Sequence, residues 1–464
     1  MNTADATFCS QLAAIAGSAN IISDPSELTP YEIDGKAPAA AVRPGSSEEV
    51  AGIVKFALSE NLAIVASGAR TKLGTGMPPR RYDLAVDMAR LARVTAYDPQ
   101  DLTLGVESGI SLREITNLLA GHRQFLPLAV PFAERATVGG TVASGVDGPL
   151  RQFYGTARDY VLGMEFVTGA GILAKSGGRV VKNVSGYDIH KVMIGAFGTL
   201  GIVTKVNFRT FPLPESMRAF VAEFKGPDDA IELRHRLARS PFAPLMLEIL
   251  SPRAAGMLSN GMAVELEPNT PLRAVTAANW NVITVIAGNE KVLERFDRDF
   301  GQMAEQSGTI GVHSLGEYET LSLFGRMKEF APGVLASCSA ATIMKISVLV
   351  GGMKEMFASA IQAAEANSLE WTAAARGLGV IYFALVSGDQ GDENCRRVVQ
   401  ATERIFAECS RLNGNATIPW CPVGWKNAVR VWGPERADLD QMRKLKKVFD
   451  PNNVFSPGRF VGGL

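Results

Sequence analysis

The sequence predicts an α+β protein in two parts, a glycine-rich N-terminal portion and a mixed C-terminal portion. Three observations predict it. At 464 residues the chain exceeds one ordinary domain. Runs with the period of half-buried strands are interspersed with apolar stripes at helical spacing along most of its length. Pro212 and Pro214 then mark a boundary, beyond which strands and helices alternate over the size of a further domain.

Composition excludes several classes. Lys+Arg and Asp+Glu each total 47, so the formal charge is zero and a nucleic-acid-binding face is not expected, although a local basic pocket is compatible. Hydrophobic residues make up 47%, which suits a well-filled core or apolar partner surfaces. No apolar run approaches the ~18 residues of a membrane span, and the N-terminus lacks the pattern of a secretory signal. The five cysteines are scattered and never spaced CxxC. That predicts a reduced, intracellular protein without its own iron–sulfur cluster or zinc knuckle, and no metal.

In chain order, Ser46 and Glu49 form a capping box before the stripe Val50, Ile53, Val54, Ala57 and Leu58. Leu62 to Ala66 reads as a buried strand ending in Ser67-Gly68-Ala69-Arg70-Thr71. A strand opening into small, hydroxyl and cationic residues suits a phosphate cradle, to which Arg70 or Lys72 could add charge. With glycines at 68, 74 and 76 it is neither a Walker loop nor GxGxxG. Strands follow at Leu84 to Asp87 and Leu102 to Ser108, then a helix over Ser111 to Leu119 capped by Ser111.

The stretch Ala133 to Thr168 concentrates Gly139, Gly140, Gly145, Gly148 and Gly155. Its expected form is an extended, ligand-hugging backbone that feeds a β-hairpin turning at Gly169-Ala170-Gly171; a glycine-rich surface loop is the alternative. Lys182 to Asp188 leads a short helix to Gly195. Ile202 to Phe211 then alternates as a half-buried strand. Beyond the prolines, strands are expected at 245–250, 282–287, 343–350 and 380–386, and helices at 228–238, 291–306 and 353–367. Leu439, Met442, Leu445 and Val448 stripe a last helix stopped by Asp450-Pro451.

The Gly68 loop, TVGGTVASG, RDYVLGMEFVTGAG, KNVSGYD, GTLGIVT and FDPNNVFSPGRFVGGL occur in one order. Together they resemble the FAD-binding dehydrogenases of the vanillyl-alcohol oxidase superfamily, and among them the glycolate oxidase FAD-binding subunit and its D-lactate dehydrogenase relatives. The resemblance is dense over residues 40–212 and 432–464 and diffuse between. It implies a two-subdomain FAD-binding fold of vanillyl-alcohol oxidase type over 1–214, an α+β cap carrying the substrate side over 215–431, and a C-terminal helix and tail over 432–464 returning to the FAD domain.

The resemblance also implies site residues. Gly68, Ala69, Arg70 and Thr71 would hold the pyrophosphate of FAD through backbone N–H groups. Pro131, Thr137, Gly139, Gly140, Thr141 and Gly145 would line the pyrophosphate, ribityl and flavin edge, with Tyr154, Gly155, Arg158 and Asp159 beside them. Gly198, Gly201 and Val203 would sit at the adenosine end, and Arg459 would dock back on the FAD domain. For any single glycine, turn geometry is the alternative.

Two departures matter. Covalently flavinylated members carry a histidine in the first loop, whereas positions 67–74 read SGARTKLG, so non-covalent FAD is expected. Catalytic relatives carry paired histidines late in the cap; this chain has His122, His190, His235 and His313, none so paired. His190 is read as a packing or capping residue. Lys182, Arg376 and Tyr382 are the catalytic candidates in their place, with Lys182 or Arg376 for a substrate carboxylate, and Lys426 lies in the same region. The implied activity is that of an FAD-dependent 2-hydroxy-acid dehydrogenase subunit of glycolate/D-lactate type, passing hydride from the substrate α-carbon to flavin N5. Alternatives are an accessory FAD electron-transfer subunit without turnover of its own, and a standalone oxidase. Partners implied are a second flavin subunit and an iron–sulfur subunit, in the cytoplasm or peripherally at the membrane's inner face.

Overall fold

The computed structural model describes residues 6–180, 186–261 and 272–464. Among them the strands form sheets of four, five, two and eight strands. The first runs Ile21–Ile22, Ala40–Val42, Leu84–Asp87, Ile64–Ser67, with the last three parallel. The helix Ser47–Ser59 packs Val50, Ile53, Val54 and Ala57 into its core. Ser46 accepts from Glu49 N–H at 3.1 Å, as its position predicts, while Glu49 Oε2 accepts from Gly45 N–H at 2.7 Å, one residue earlier than a capping box requires.

The five-stranded sheet is antiparallel throughout, in the order Val94–Asp98, Thr103–Glu107, Ile202–Arg209, Val161–Val167, Leu173–Gly177. The hairpin expected at Gly169–Gly171 joins its last two strands, and Thr168 N–H bonds back to Ile172 O at 3.0 Å. Residues 210–211 leave this sheet, and Phe211–Pro212 pairs instead with Gln124–Phe125.

The glycine-rich stretch is not extended. It folds into the helix Val138–Ser144, then Arg151–Tyr154 and Ala157–Tyr160. Thr137 caps the first of these by accepting from Gly140 N–H at 3.4 Å, and Gly145 ends it in the left-handed region at φ 59°. Glycine is unfavourable inside a helix, but here the helix start must press against the strand end at Ser108. A Cβ on Gly139 would lie 2.7 Å from Ser108 Cβ.

The eight-stranded antiparallel sheet runs Gly311–Leu315, Met217–Phe224, Trp280–Ala287, Met246–Leu250, Glu370–Arg376, Val380–Val386, Ala341–Ser347, Asn415–Trp420. Four amphipathic helices, Pro227–Arg239, Glu290–Glu305, Met353–Ala366 and Asp392–Arg411, bury their apolar stripes on one face. The other face meets the N-terminal part, with Leu150 and Ala129 packed among Met246, Leu250 and Ala374. The expected strand at 343–350 ends at Ser347. The C-terminal helix Leu439–Phe449 returns to the first two sheets, where Lys446 Nζ donates to Thr199 O and Phe455 O and pairs with Asp450.

Candidate functional site

The loop after Ile64–Ser67, the start of the helix Val138–Ser144 and the turn at 197–203 surround a cleft with about 820 Å³ of free space. Gly68, Ala69, Arg70, Thr71, Thr137, Gly139, Gly140, Gly198, Gly201 and Val203 line it, together with Lys72, Ser108 and Arg459. The loop and the helix start touch closely: a Cβ on Gly68 would fall 2.1 Å from Thr137 Oγ1. Three buried polar atoms on this wall, Ser67 Oγ, Ser108 Oγ and Arg459 Nε, have no hydrogen-bond partner. Such atoms are costly unless a polar ligand meets them, so the cleft fits an extended polar cofactor. The rest of the Arg459 guanidinium docks on the loop, donating to Leu73 O and Thr75 O.

Arg70 is placed differently from what a phosphate-binding cation requires. Its backbone turns at φ 61°, and its guanidinium pairs with Asp87 at 3.1 Å and stacks over the Tyr31 ring at 4.8 Å. Tyr31 donates to the same Asp87 carboxylate at 2.6 Å. Lys72, two residues on, has no ion-pair partner among the described residues. Its ammonium donates to Thr71 Oγ1 at 3.1 Å, and burial pushes its amine down to about 8, against the pull of the Glu329 carboxylate.

A larger cavity with about 1570 Å³ of free space adjoins the cleft, and Lys72, Ser144 and Phe197 line both. Gly145 and Arg158 belong to this second space. Pro131, Thr141, Tyr154, Gly155 and Asp159 line neither. Thr141 and Pro131 are buried. Tyr154 packs edge-on to Phe125 and Phe211, and Gly155 ends a short helix at φ 78°. Asp159 caps the next helix by accepting from Thr156 N–H at 2.7 Å.

The far wall of the cavity is the sheet face. Strand register sets Glu248 opposite Arg376 and Arg376 opposite Val380. In the next row Tyr382 stands opposite Lys345, and Lys345 opposite Thr417. These polar side chains therefore share one face across five strands. Asp147, from the glycine-rich stretch, meets them. Its carboxylate pairs with Arg376, with Lys345 at 3.2 Å and with Arg151 at 2.5 Å, and its carbonyl accepts from Arg376 at 3.2 Å.

Burial alone would raise the Asp147 carboxyl, but Arg376, Lys345 and Arg151 hold it well below the usual carboxylate range. Glu248 behaves oppositely. Burial pushes it up to about 7, although Arg376 Nε lies 3.7 Å away. Arg376 is already committed to Asp147, so the weaker contact does not offset desolvation.

Of the catalytic candidates, Tyr382 lines the cavity, with Arg376 Cζ 4.8 Å and Lys345 Nζ 6.0 Å from its ring centre. Arg376 is buried behind it, and Lys182 lies outside the described residues. Lys426 is a buried structural residue paired with Asp34. Sequence reasoning missed Asp147 and Lys345. Their only signals were an Asp–Arg pair four apart at 147 and 151, and a charge interrupting the apolar strand at 345. His190 packs against Ser176 Oγ at 3.1 Å, and no histidine lines either space. Among the described residues no group of three or more His, Cys, Asp or Glu could hold a metal ion, and no helix is long and apolar enough to cross a membrane.

Two family models match the chain: an FAD binding domain over residues 38–177, and the C-terminal domain of FAD linked oxidases over 213–418 and 426–460. The glycolate oxidase subunit GlcD of Bacillus subtilis is 23% identical over 424 residues, 91% of this chain and 88% of that one. The glycolate oxidase subunit GlcE of Escherichia coli is 37% identical over 164 residues, 35% of this chain and 46% of that one. Among solved structures, p-cresol methylhydroxylase with substrate bound superposes with a TM-score of 0.76 at 18% identity, covering 97% of this chain and 95% of its own.

Proposed function

The chain belongs to the FAD-linked oxidases, whose cofactor is FAD, and on that premise we propose that it oxidises a small 2-hydroxy acid of the glycolate or D-lactate kind. The carrying observation is the cationic wall that faces the cofactor cleft across the shared cavity. Lys345, Arg151 and Arg376 surround one fully ionised carboxylate, Asp147, and the second carboxyl, Glu248, is held up to about 7. Such a site carries surplus positive charge and suits the carboxylate of an anionic substrate.

Lys345 and Arg151 reach the cavity and bind that carboxylate, while Arg376 positions both through Asp147. Tyr382 stands between Lys345 and Arg376, where its phenol can meet the substrate hydroxyl. When bound, the flavin supplies the two-electron acceptor for the substrate α-carbon. Arg70 stands in the cradle with no histidine beside it, in keeping with FAD held non-covalently. Electrons then pass to a partner, such as a second flavin subunit and an iron–sulfur subunit.

A second reading is an accessory FAD subunit that relays electrons without turning over substrate. The lack of paired histidines favours it, since none of the chain's four histidines lines either space. One experiment separates the two. The purified full chain is mixed anaerobically with glycolate and with D-lactate while the flavin band is followed. Bleaching by the chain alone, abolished in Lys345→Met, supports the enzyme. A flavin that stays oxidised until partner subunits are added supports the relay. A preparation that holds no flavin would sink both.

A further inference from the structure

We propose that Lys72 supplies the counter-charge to the pyrophosphate of FAD. Among the described residues the other cations around the two spaces each hold a carboxylate or a main-chain carbonyl of the protein. Arg70 pairs with Asp87, Arg151 and Lys345 with Asp147, and Arg436 with Asp438. Arg459 donates to Leu73 O and Thr75 O, leaving its Nε unpartnered, and Arg158 donates to Lys191 O. Among the described residues the Lys72 ammonium has no carboxylate within ion-pair distance; it donates to Thr71 Oγ1 and stands 6.0 Å from the Phe132 ring centre.

A half-buried cation held in a ligand cleft with no carboxylate partner is placed to receive an anion. The nearest opposing charge, Glu329 just before the helix Phe330–Ser337, is itself occupied. Its two oxygens accept from Phe132 N–H at 2.9 Å and Ala133 N–H at 3.1 Å. Glu329 is also pushed up by its own burial, which weakens it further as a partner. Position selects the ligand group. Lys72 directly follows the turn Gly68–Thr71 at the end of a parallel strand, where backbone N–H groups converge, and the cofactor's double negative charge is its pyrophosphate.

The test uses the full chain stripped of flavin and titrated with FAD from about pH 7 to about pH 9, spanning the Lys72 amine at about 8. Wild type is expected to lose affinity above that point, by up to about tenfold per pH unit, because the amine must be protonated to pair with phosphate. Lys72→Met should weaken FAD binding about 10- to 100-fold at pH ~7 and remove the pH dependence. It should leave the midpoint potential of the flavin that still binds unchanged. Lys72→Arg should bind within a few-fold of wild type and also show no loss above pH ~8, since arginine stays charged. Unchanged FAD affinity in Lys72→Met overturns the proposal, whatever happens to the potential or to the KM for glycolate. If that variant does not fold, a wild-type pH dependence in Lys72→Arg overturns it equally.

Discussion

Asp147 does at residue scale what no single cation on the sheet could do. It gathers Arg376, Lys345 and Arg151 into one cluster and leaves a site that is still net positive. Glu248 sits at the back of the same cluster and sets its pH behaviour. Its folded-state value, raised to about 7 from 4.5, means that the folded chain holds this proton more tightly than the unfolded chain. The associated stability is therefore full below pH ~4.5 and is lost as pH rises through about 7, at most about 3 kcal/mol in total. Glu248→Gln keeps the neutral amide in place. It should flatten this part of the stability profile, with the largest gain over wild type above pH ~7 in urea titrations. An unaltered slope would mean that Glu248 is not the group that titrates.

At the scale of elements, the helix Val138–Ser144 is set against the strand end at Ser108 by one glycine, Gly139, and this contact forms one edge of the cleft. Gly139→Ala gains up to about 1 kcal/mol of helix propensity. The new Cβ, however, would meet Ser108 O at 2.9 Å and Ser108 Cβ at 2.7 Å, neither of which can swing aside. Overpacking of this kind costs about 1–3 kcal/mol, so the variant should be destabilised on balance and hold FAD less tightly. Gly74→Ala, where nothing lies within 4 Å of an added Cβ, should do neither. Fluorescence titration with FAD, alongside denaturant melts, distinguishes these outcomes.

The same elements show what a sequence can disclose. The hairpin at 161–177, the Ser111 cap and the Ile202 strand were legible because their signals are local. The glycine-rich helix was not, since its composition argues against helix and only the contact with Ser108 explains it. The row from Glu248 through Arg376 and Tyr382 to Lys345 depends on the register of strands whose paired residues lie up to 128 positions apart, which no local pattern encodes. Arg70 is a case of the same kind. Its charge is spent on Asp87, 17 residues away, a pairing that no local pattern encodes and that leaves Lys72 as the other cation of the loop.

For the whole molecule, the decisive question is what keeps the sheet face registered against the cofactor cleft. The Asp147 cluster and the Glu329 contact with Phe132 and Ala133 do so beside the cavity. Lys426 does so farther round. Its ammonium, buried together with Asp34, pairs with that residue at 2.7 Å and donates to Gly74 O at 2.5 Å and Gly76 O at 2.9 Å. One lysine from the C-terminal part thus holds the N-terminal arm and the end of the phosphate-type loop at once. Removing it leaves a buried carboxylate and two carbonyls without a donor, a loss of about 3–5 kcal/mol by comparison with other broken buried pairs. Lys426→Met should therefore lower the melting temperature. It should also release FAD more readily, because residues 74–76 continue directly from the cradle at 68–72. Adding Asp34→Asn removes the stranded charge and should recover part of the stability, since an unpaired buried carboxylate costs more than a lost pair. FAD retention should recover less, because the loop carbonyls still lack their donor. If the double variant is no more stable than Lys426→Met alone, the lysine acts through packing and not through its charge.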